Sequence, residues 1–312
     1  MACQGGGLIR GLYCTAVASC GWSALIARLR LAKTPLCLLV GVATVFGAIL
    51  AEPVFSQQML IVAGGVFLVA TGSASLNSLQ EHGLDGAMIR TKGRPLPSGK
   101  LTRAQAAWQA AVLIALGLLL VVTHSENRLA ELMTLAAVLL YNCVYTPLKG
   151  KTVLAIVPGA LCGALPAYIG WLTHGGDPDG LVAILLVVLF VLWQIPHYWL
   201  VLLSYQEDYA AGIVPNFLSQ FRENTLERFF VTWLGALVVI MLMFAAFPYS
   251  LSSWVRCLIV ANALILPGLA YYWLRWRKRR KFRLLFIALN CLLLNHMVIL
   301  GGGRMLANGL IL

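Results

Sequence analysis

The chain has 312 residues, 60% of them hydrophobic and 11% charged, with a mean hydropathy of +0.85. A soluble domain is about one-quarter charged, so this balance excludes a soluble globular protein and leaves a polytopic membrane protein. The net charge of +12 does not indicate nucleic acid, because the basic residues fall in short clusters between apolar runs.

Residues 1–32 are expected to form a cytoplasmic or interfacial lead-in rather than a secretory signal. Their apolar part is broken by Gly, Ser and Cys, and Arg28, Arg30 and Lys33 follow it instead of preceding it. Nine apolar runs follow, at about 34–51, 59–79, 104–123, 129–146, 152–172, 180–204, 229–248, 254–274 and 284–301. At about 1.5 Å per residue each can cross about 30 Å of hydrocarbon. The sequence therefore predicts an all-α fold of about nine transmembrane helices, organised as one intramembrane domain over 33–303 with a short outer tail at 304–312. The eight cysteines form no CxxC pair and are read as small buried hydrophobes.

The loops alternate in charge. Twenty of the 23 basic residues fall before span 1 and after spans 2, 4, 6 and 8, while Arg128, Arg256 and Arg304 lie on the other side. That places the N-terminus and those loops in the cytoplasm. The run Arg275–Arg283 is read as a topology anchor that also attracts anionic lipid.

Of eleven acidic residues, four form two pairs at cytoplasmic exits: Glu81 and Asp85 after span 2, Glu207 and Asp208 after span 6. Asn77, Glu81 and Asp85 are four apart and share one helical face. Two carboxylates and an amide there, with no balancing cation among them in sequence, suit Mg²⁺ with a few waters. The alternative is an interfacial helix end. Arg90, Lys92 and Arg94 follow, as a diphosphate site or as an inside-positive loop. The second pair could supply an opposite wall to the cation site.

Span 6 ends in Trp193-Gln194-Ile-Pro196-His197. Gln194 and His197 are three apart on an apolar helix, where polar groups are costly and a partner or function is the default reading. Interhelical hydrogen bonding is the bland alternative. After span 4, Tyr141, Tyr145, Lys149 and Lys151 could contact phosphate oxygens, or form an ordinary aromatic and basic belt.

Taken together, Asn77-xxx-Glu81-xxx-Asp85-xx-Met88-x-Arg90-Thr91-xx-Arg94-Pro95-Leu96, Tyr145-Thr146-x-Leu148-Lys149, Trp193-Gln194-x-Pro196-His197 and Glu207-Asp208-Tyr209 resemble the UbiA-type intramembrane prenyltransferases. Within them the likeness is to the branch that farnesylates protohaem, and it covers about residues 30–300. The family usually has Asp where this chain has Glu81, Arg where it has Gly150, and often Phe where it has Tyr198.

The resemblance implies helices around a central cavity and Mg²⁺ held by Asn77, Glu81 and Asp85, with Glu207 and Asp208 opposite. It implies a diphosphate neutralised by Arg90, Arg94 and Lys149, with Tyr145 beside the reacting centre. Trp193 and Gln194 would contact substrate, and His197 would orient the acceptor, ligate its iron or handle a proton. The implied substrates are farnesyl diphosphate and haem b, both reached from the lipid bilayer. Contact with a downstream haem A synthase or with oxidase assembly is possible on this view, and no nucleic-acid partner is expected. The expected location is a bacterial inner membrane with the site facing the cytoplasm. Two rival readings remain at this level: prenyl transfer to a quinone-precursor or chlorophyll-type acceptor, and a transporter or catalytically silent assembly protein.

Overall fold

A computed structural model describes residues 22–205, 215, 217–246, 249, 251–275 and 279–309. The described residues are helical, with no strand among them. Helix α1 (residues 22–31) precedes α2 (Thr34–Ala51), α3 (Gln57–Gln80), the short α4 (His82–Ala87), α5 (Arg103–His124) and α6 (Arg128–Leu139). A π-helical turn, Leu140–Tyr145, leads from α6 into α7 (Thr146–Lys149). A 3₁₀ turn, Val153–Ala155, opens α8 (Ile156–Thr173). The chain continues through α9 (Leu181–Ser204), α10 (Phe217–Gln220), α11 (Glu223–Ala246), α12 (Ser253–Arg275) and α13 (Arg279–Ala307).

Nine stretches among the described residues are long and apolar enough to span a membrane, and all nine coincide with expected spans. Bounds shift by a few residues: the second span starts at Gln57, the fourth runs on to Lys149, the seventh covers Thr225–Ala246, and the ninth covers Phe282–Ala307. The molecule is an integral membrane protein. Consecutive spans pack against one another, and α13 returns to touch both α9 and α2. Helix α9 runs through Pro196 without a break in its assignment.

Lipid offers helices no hydrophobic reason to associate, so close packing of small residues has to supply it. The closest approach here is between α2 and α8. A Cβ on Gly47 would overlap the Ala167 carbonyl, and one on Gly170 would overlap the Thr44 carbonyl. Helices α3 and α5 are joined the same way: a Cβ on Gly117 would lie 2.6 Å from Gly65 O. Local signals set the helix ends. Ser56 accepts from Met59 N, Thr102 and Gln105 form a capping box, and Asn127 Oδ1 accepts from Leu129 N and Ala130 N.

Not all cysteines are buried as the sequence suggested. Among those described, Cys37 is buried and Cys162 half-buried, but Cys143, Cys257 and Cys291 are exposed. They sit on outward helix faces, where bilayer replaces protein as the apolar surrounding, so an apolar residue need not be covered by the chain.

Candidate active site

Because spans alternate in direction, the start of α2, the ends of α3, α7 and α9, and the start of α8 all lie at one face of the bundle. This is where the polar residues gather. Asn77, Glu81 and Asp85 are 2%, 5% and 4% exposed. Helix α3 stops at Gln80, Glu81 caps it at φ −92° and ψ 5°, and α4 begins at His82. Even so, Glu81 N donates to Asn77 O at 2.9 Å and Asp85 N to Glu81 O at 2.8 Å. The four-residue ladder therefore survives the junction between the helices, and the three side chains form one acidic strip.

The cations absent from that stretch arrive from elsewhere in the chain. Lys149 Nζ donates to Glu81 Oε1 at 3.0 Å and Oε2 at 3.1 Å. An Arg94 Nη1 hydrogen bonds both Asp85 oxygens, at 2.8 and 2.7 Å. Lys33 Nζ donates to Asn77 Oδ1 at 2.6 Å, and Asn77 Nδ2 donates to Thr146 Oγ1 at 3.0 Å. Three cations thus face two carboxylates. A carboxylate this buried is tolerable only with such a partner.

Lys33 was expected only to set topology. It is the one non-glycine residue with positive φ among the described residues, at φ 50° and ψ 40°. That left-handed conformation costs a residue with a side chain about 1–2 kcal/mol and persists only where its surroundings hold it. Ser78 Oγ donates to Leu31 O at 3.3 Å, and Gln109 Nε2 donates to Arg28 O at 3.0 Å, tying the preceding helix to α3 and α5. Burial lowers the Lys33 ammonium from 10.5 to about 8, with Arg94 and Lys149 adding to the effect and Glu81 and Asp85 opposing it. An ammonium crowded by two other cations favours an added anion. In sequence, the only signal was a lysine directly before the first span.

The π turn is the second feature that periodicity did not reveal. Such turns are rare and often mark functional sites. It re-aims the end of the fourth span: Thr146 Oγ1 donates to Tyr141 O at 2.8 Å, and Gln80 Nε2 donates to Asn142 O at 3.1 Å. Tyr145 stacks on Tyr141 with centroids 5.3 Å apart.

Tyr145 and Lys149 open into a small pocket of about 40 Å³ between the fourth, fifth and sixth spans, whose other walls include Ile156, Gly159, Gln194 and Tyr198. Gly159 gives Tyr145 its place, since a Cβ there would lie 2.9 Å from Tyr145 Cε2. Gly159→Ala is expected to push the ring toward the pocket and lower kcat about tenfold with little loss of Tm. Steady-state kinetics beside a melting curve check this.

Gln194 and His197 were expected on one functional face, and the structure separates them. Gln194 lines the pocket with Tyr198, one turn on. His197 pairs instead with Trp193, at 4.6 Å between ring centroids, and with Phe286 of α13, at 4.7 Å. The two positions stand about 60° apart on the helix, close enough to share a face in isolation, and the neighbours divide them: Gln194 meets Gly163 of α8 and His197 meets Phe286 of α13. His197 Nδ1 and Trp193 Nε1 find no hydrogen-bond partner among the described residues.

Arg90 reaches toward the end of the sixth span. Its guanidinium stands 4.9 Å from the Tyr205 ring centroid, tying the loop after α4 to the end of α9. Glu207 and Asp208 lie outside the described residues. No group of three His, Cys, Asp or Glu suited to a metal occurs among the described residues. The acidic strip itself offers an amide and two carboxylates, all hard oxygen donors, and this donor set fits Mg²⁺ with waters or phosphate oxygens completing the shell.

A buried acidic strip matched by three cations, at the mouth of a pocket between membrane spans, could hold a divalent cation and a diphosphate. The family comparison agrees: residues 38–290 match the model of the UbiA prenyltransferase family, and the chain belongs to that family and is a prenyltransferase.

Among curated relatives, the chain is similar to protoheme IX farnesyltransferases. It is 34% identical to that of Nitratidesulfovibrio vulgaris over 78% of this chain and 84% of the relative. It is 36% identical to that of Geobacter sulfurreducens, over 74% and 85%, and 35% identical to that of Oleidesulfovibrio alaskensis, over 88% and 94%. Among solved structures, a digeranylgeranylglyceryl phosphate synthase matches with TM-score 0.72 at 16% identity, over 90% of this chain and 99% of that one. A UbiA homologue from Archaeoglobus fulgidus bound to GPP and Mg²⁺ matches at 0.60 and 18% identity, over 88% and 99%. At that identity, the structural likeness establishes the fold.

Proposed function

We propose that the protein transfers the farnesyl group of farnesyl diphosphate to a vinyl group of haem b, giving haem O, and that it does so with Mg²⁺ at a site facing the cytoplasm of a bacterial inner membrane. The observation that carries prenyl transfer is the pairing of buried Glu81 with Lys149 and of Asp85 with Arg94 at a pocket mouth. The haem acceptor rests on the names of the relatives and on the Trp193–His197 segment. The cytoplasmic orientation rests on the sorting of basic loops.

Asn77, Glu81 and Asp85 would hold Mg²⁺, which when bound supplies positive charge to the departing diphosphate. Arg94, Lys149 and Lys33 turn from the acidic strip to the diphosphate oxygens that gain charge as the allylic C–O bond breaks. Fixed cations in a water-poor site stabilise that charge without reorganisation. The bond's electron pair leaves with the diphosphate. The Tyr145 and Tyr198 rings, lining the pocket next to Lys149, offer π faces to the allylic cation and exclude water. The vinyl carbon forms the new C–C bond, and water then adds to the resulting carbocation and loses a proton. Trp193 and His197, with Trp193 Nε1 and His197 Nδ1 left without a partner among the described residues, serve the acceptor. Transfer of the product to a downstream haem A synthase or to oxidase assembly fits a product this apolar.

Purified protein in detergent, given haem b, farnesyl diphosphate and Mg²⁺, is expected to form haem O, detected by chromatography and mass spectrometry. Chelation should abolish the product, and added Mg²⁺ should restore it. Farnesyl transfer to 4-hydroxybenzoate instead would move the acceptor to the quinone branch. Turnover that survives chelation would remove the metal from the mechanism.

A further inference from the structure

The pocket has a direction. Its mouth is at Lys149 and Thr152, on the face that holds the acidic strip, and its wall on the fifth span runs from Thr152 to Ala160. That is about 12 Å of helix rise. On the opposite wall Tyr198 comes first. Gln194 follows one turn further in, ten residues before the end of α9 at Ser204. Gln194 therefore stands at the inner end. Its carboxamide lies against Gly163: a Cβ there would be 2.8 Å from Gln194 Oε1 and 3.1 Å from Cδ. Gly159 and Gly163 are one turn apart, so the same face of α8 that leaves room for Tyr145 at the outer end leaves room for Gln194 at the inner end.

A prenyl donor anchored by its diphosphate at Lys149 must thread its chain inward along this wall. Two isoprene units are about as long as the wall from mouth to Gln194. A third unit has to pass the carboxamide. A porphyrin is a broad disc and does not suit a slot bounded by one helix face and two tyrosines. We infer that Gln194, seated against Gly163, is the inner gate of the isoprenoid pocket, and that Gly163 determines which prenyl-chain lengths are accepted. This rests on the reading of the protein as a prenyl-diphosphate enzyme, but not on the identity of the acceptor.

The gate predicts a length-dependent effect. Gly163→Ala meets only the end of a flexible side chain, so the fold has no reason to yield. The carboxamide has to swing, and the space open to it is the pocket. The test is binding of the unreactive geranyl and farnesyl S-thiolodiphosphates to the full chain in detergent with Mg²⁺, read by calorimetry, with no acceptor present. Gly163→Ala is expected to weaken the farnesyl analogue about tenfold or more while changing the geranyl analogue less than about twofold. In a Gln194→Ala background the same substitution should have little further effect on either, because the side chain it displaces is gone. Gln194→Ala alone should also improve binding of the geranylgeranyl analogue. An equal loss for both shorter chains, or a Gly163→Ala effect that persists without Gln194, overturns the gate. Failure of the unmodified chain to bind any analogue overturns the prenyl-donor reading itself, so the two failures are distinguishable.

Discussion

Lys149→Met is expected to lower kcat/KM for prenyl transfer by about a thousandfold or more, the scale on which loss of a preorganised charge at a transition state acts. It is also expected to destabilise the protein, for a separate reason. Glu81 has a side chain only 6% exposed, and Lys149 is the cation on both of its oxygens. Removing one partner of a buried pair leaves an uncompensated charge, at a cost of about 3–5 kcal/mol. The two consequences come apart in the double variant. Lys149→Met with Glu81→Gln replaces a stranded carboxylate by a neutral amide, so the melting temperature should recover most of the loss. Activity should not recover, because both the cation and a metal ligand are then missing. Recovery of activity along with stability would mean that the pair is structural and that diphosphate chemistry lies elsewhere.

Gly170→Ala is the second large effect, and it acts through the backbone. The added methyl would overlap the Thr44 carbonyl oxygen across the α2–α8 contact, and Gly47→Ala would do the same to the Ala167 carbonyl. Neither clash can be relieved by a rotamer change, so the helices must separate. Overpacking of this kind typically costs about 1–3 kcal/mol, and more when backbone has to move. Gly64→Ala, with nothing within 4 Å of the added carbon, is the matched control and should shift stability by no more than about 0.5 kcal/mol. The Gly170 variant should also raise KM for the prenyl diphosphate. Helix α2 starts immediately after Lys33, and displacing it draws the Lys33 ammonium off Asn77. A folded Gly170→Ala protein with unchanged melting temperature would show that α2 and α8 are not held at backbone contact.

The three glycine substitutions at Gly159, Gly163 and Gly170 lie on one helix, yet they should report three different things. Near the mouth the neighbour is an aromatic ring, further in it is a flexible carboxamide, and at the far end it is a carbonyl. The expected order of stability loss follows how far each neighbour can give, with Gly170 the largest.

The number of spans, their membrane nature and the identity of the acidic strip were legible in the amino-acid order, for a physical reason. Burial in lipid requires about twenty consecutive apolar residues, and a carboxylate at the end of such a run is conspicuous because nothing in the bilayer accounts for it. Asn77, Glu81 and Asp85 belong to one local ladder, and local spacing is what a sequence records directly. Lys149 and Arg94 were visible as candidate phosphate contacts, and Lys33 only as a member of a basic cluster. That Lys33 and Lys149 each meet a particular oxygen of that strip depends on contacts across 44 and 68 positions, whereas Arg94 reaches Asp85 over nine. Periodicity also could not show the π turn at Leu140–Tyr145, which slips the helical register, or the split of Gln194 from His197, which depends on which neighbouring span each flank meets. Sequence alone determined where polar groups are placed in the membrane. Only tertiary packing decided which of them face one another, because in lipid that choice is made by how closely glycine-bearing helices can approach.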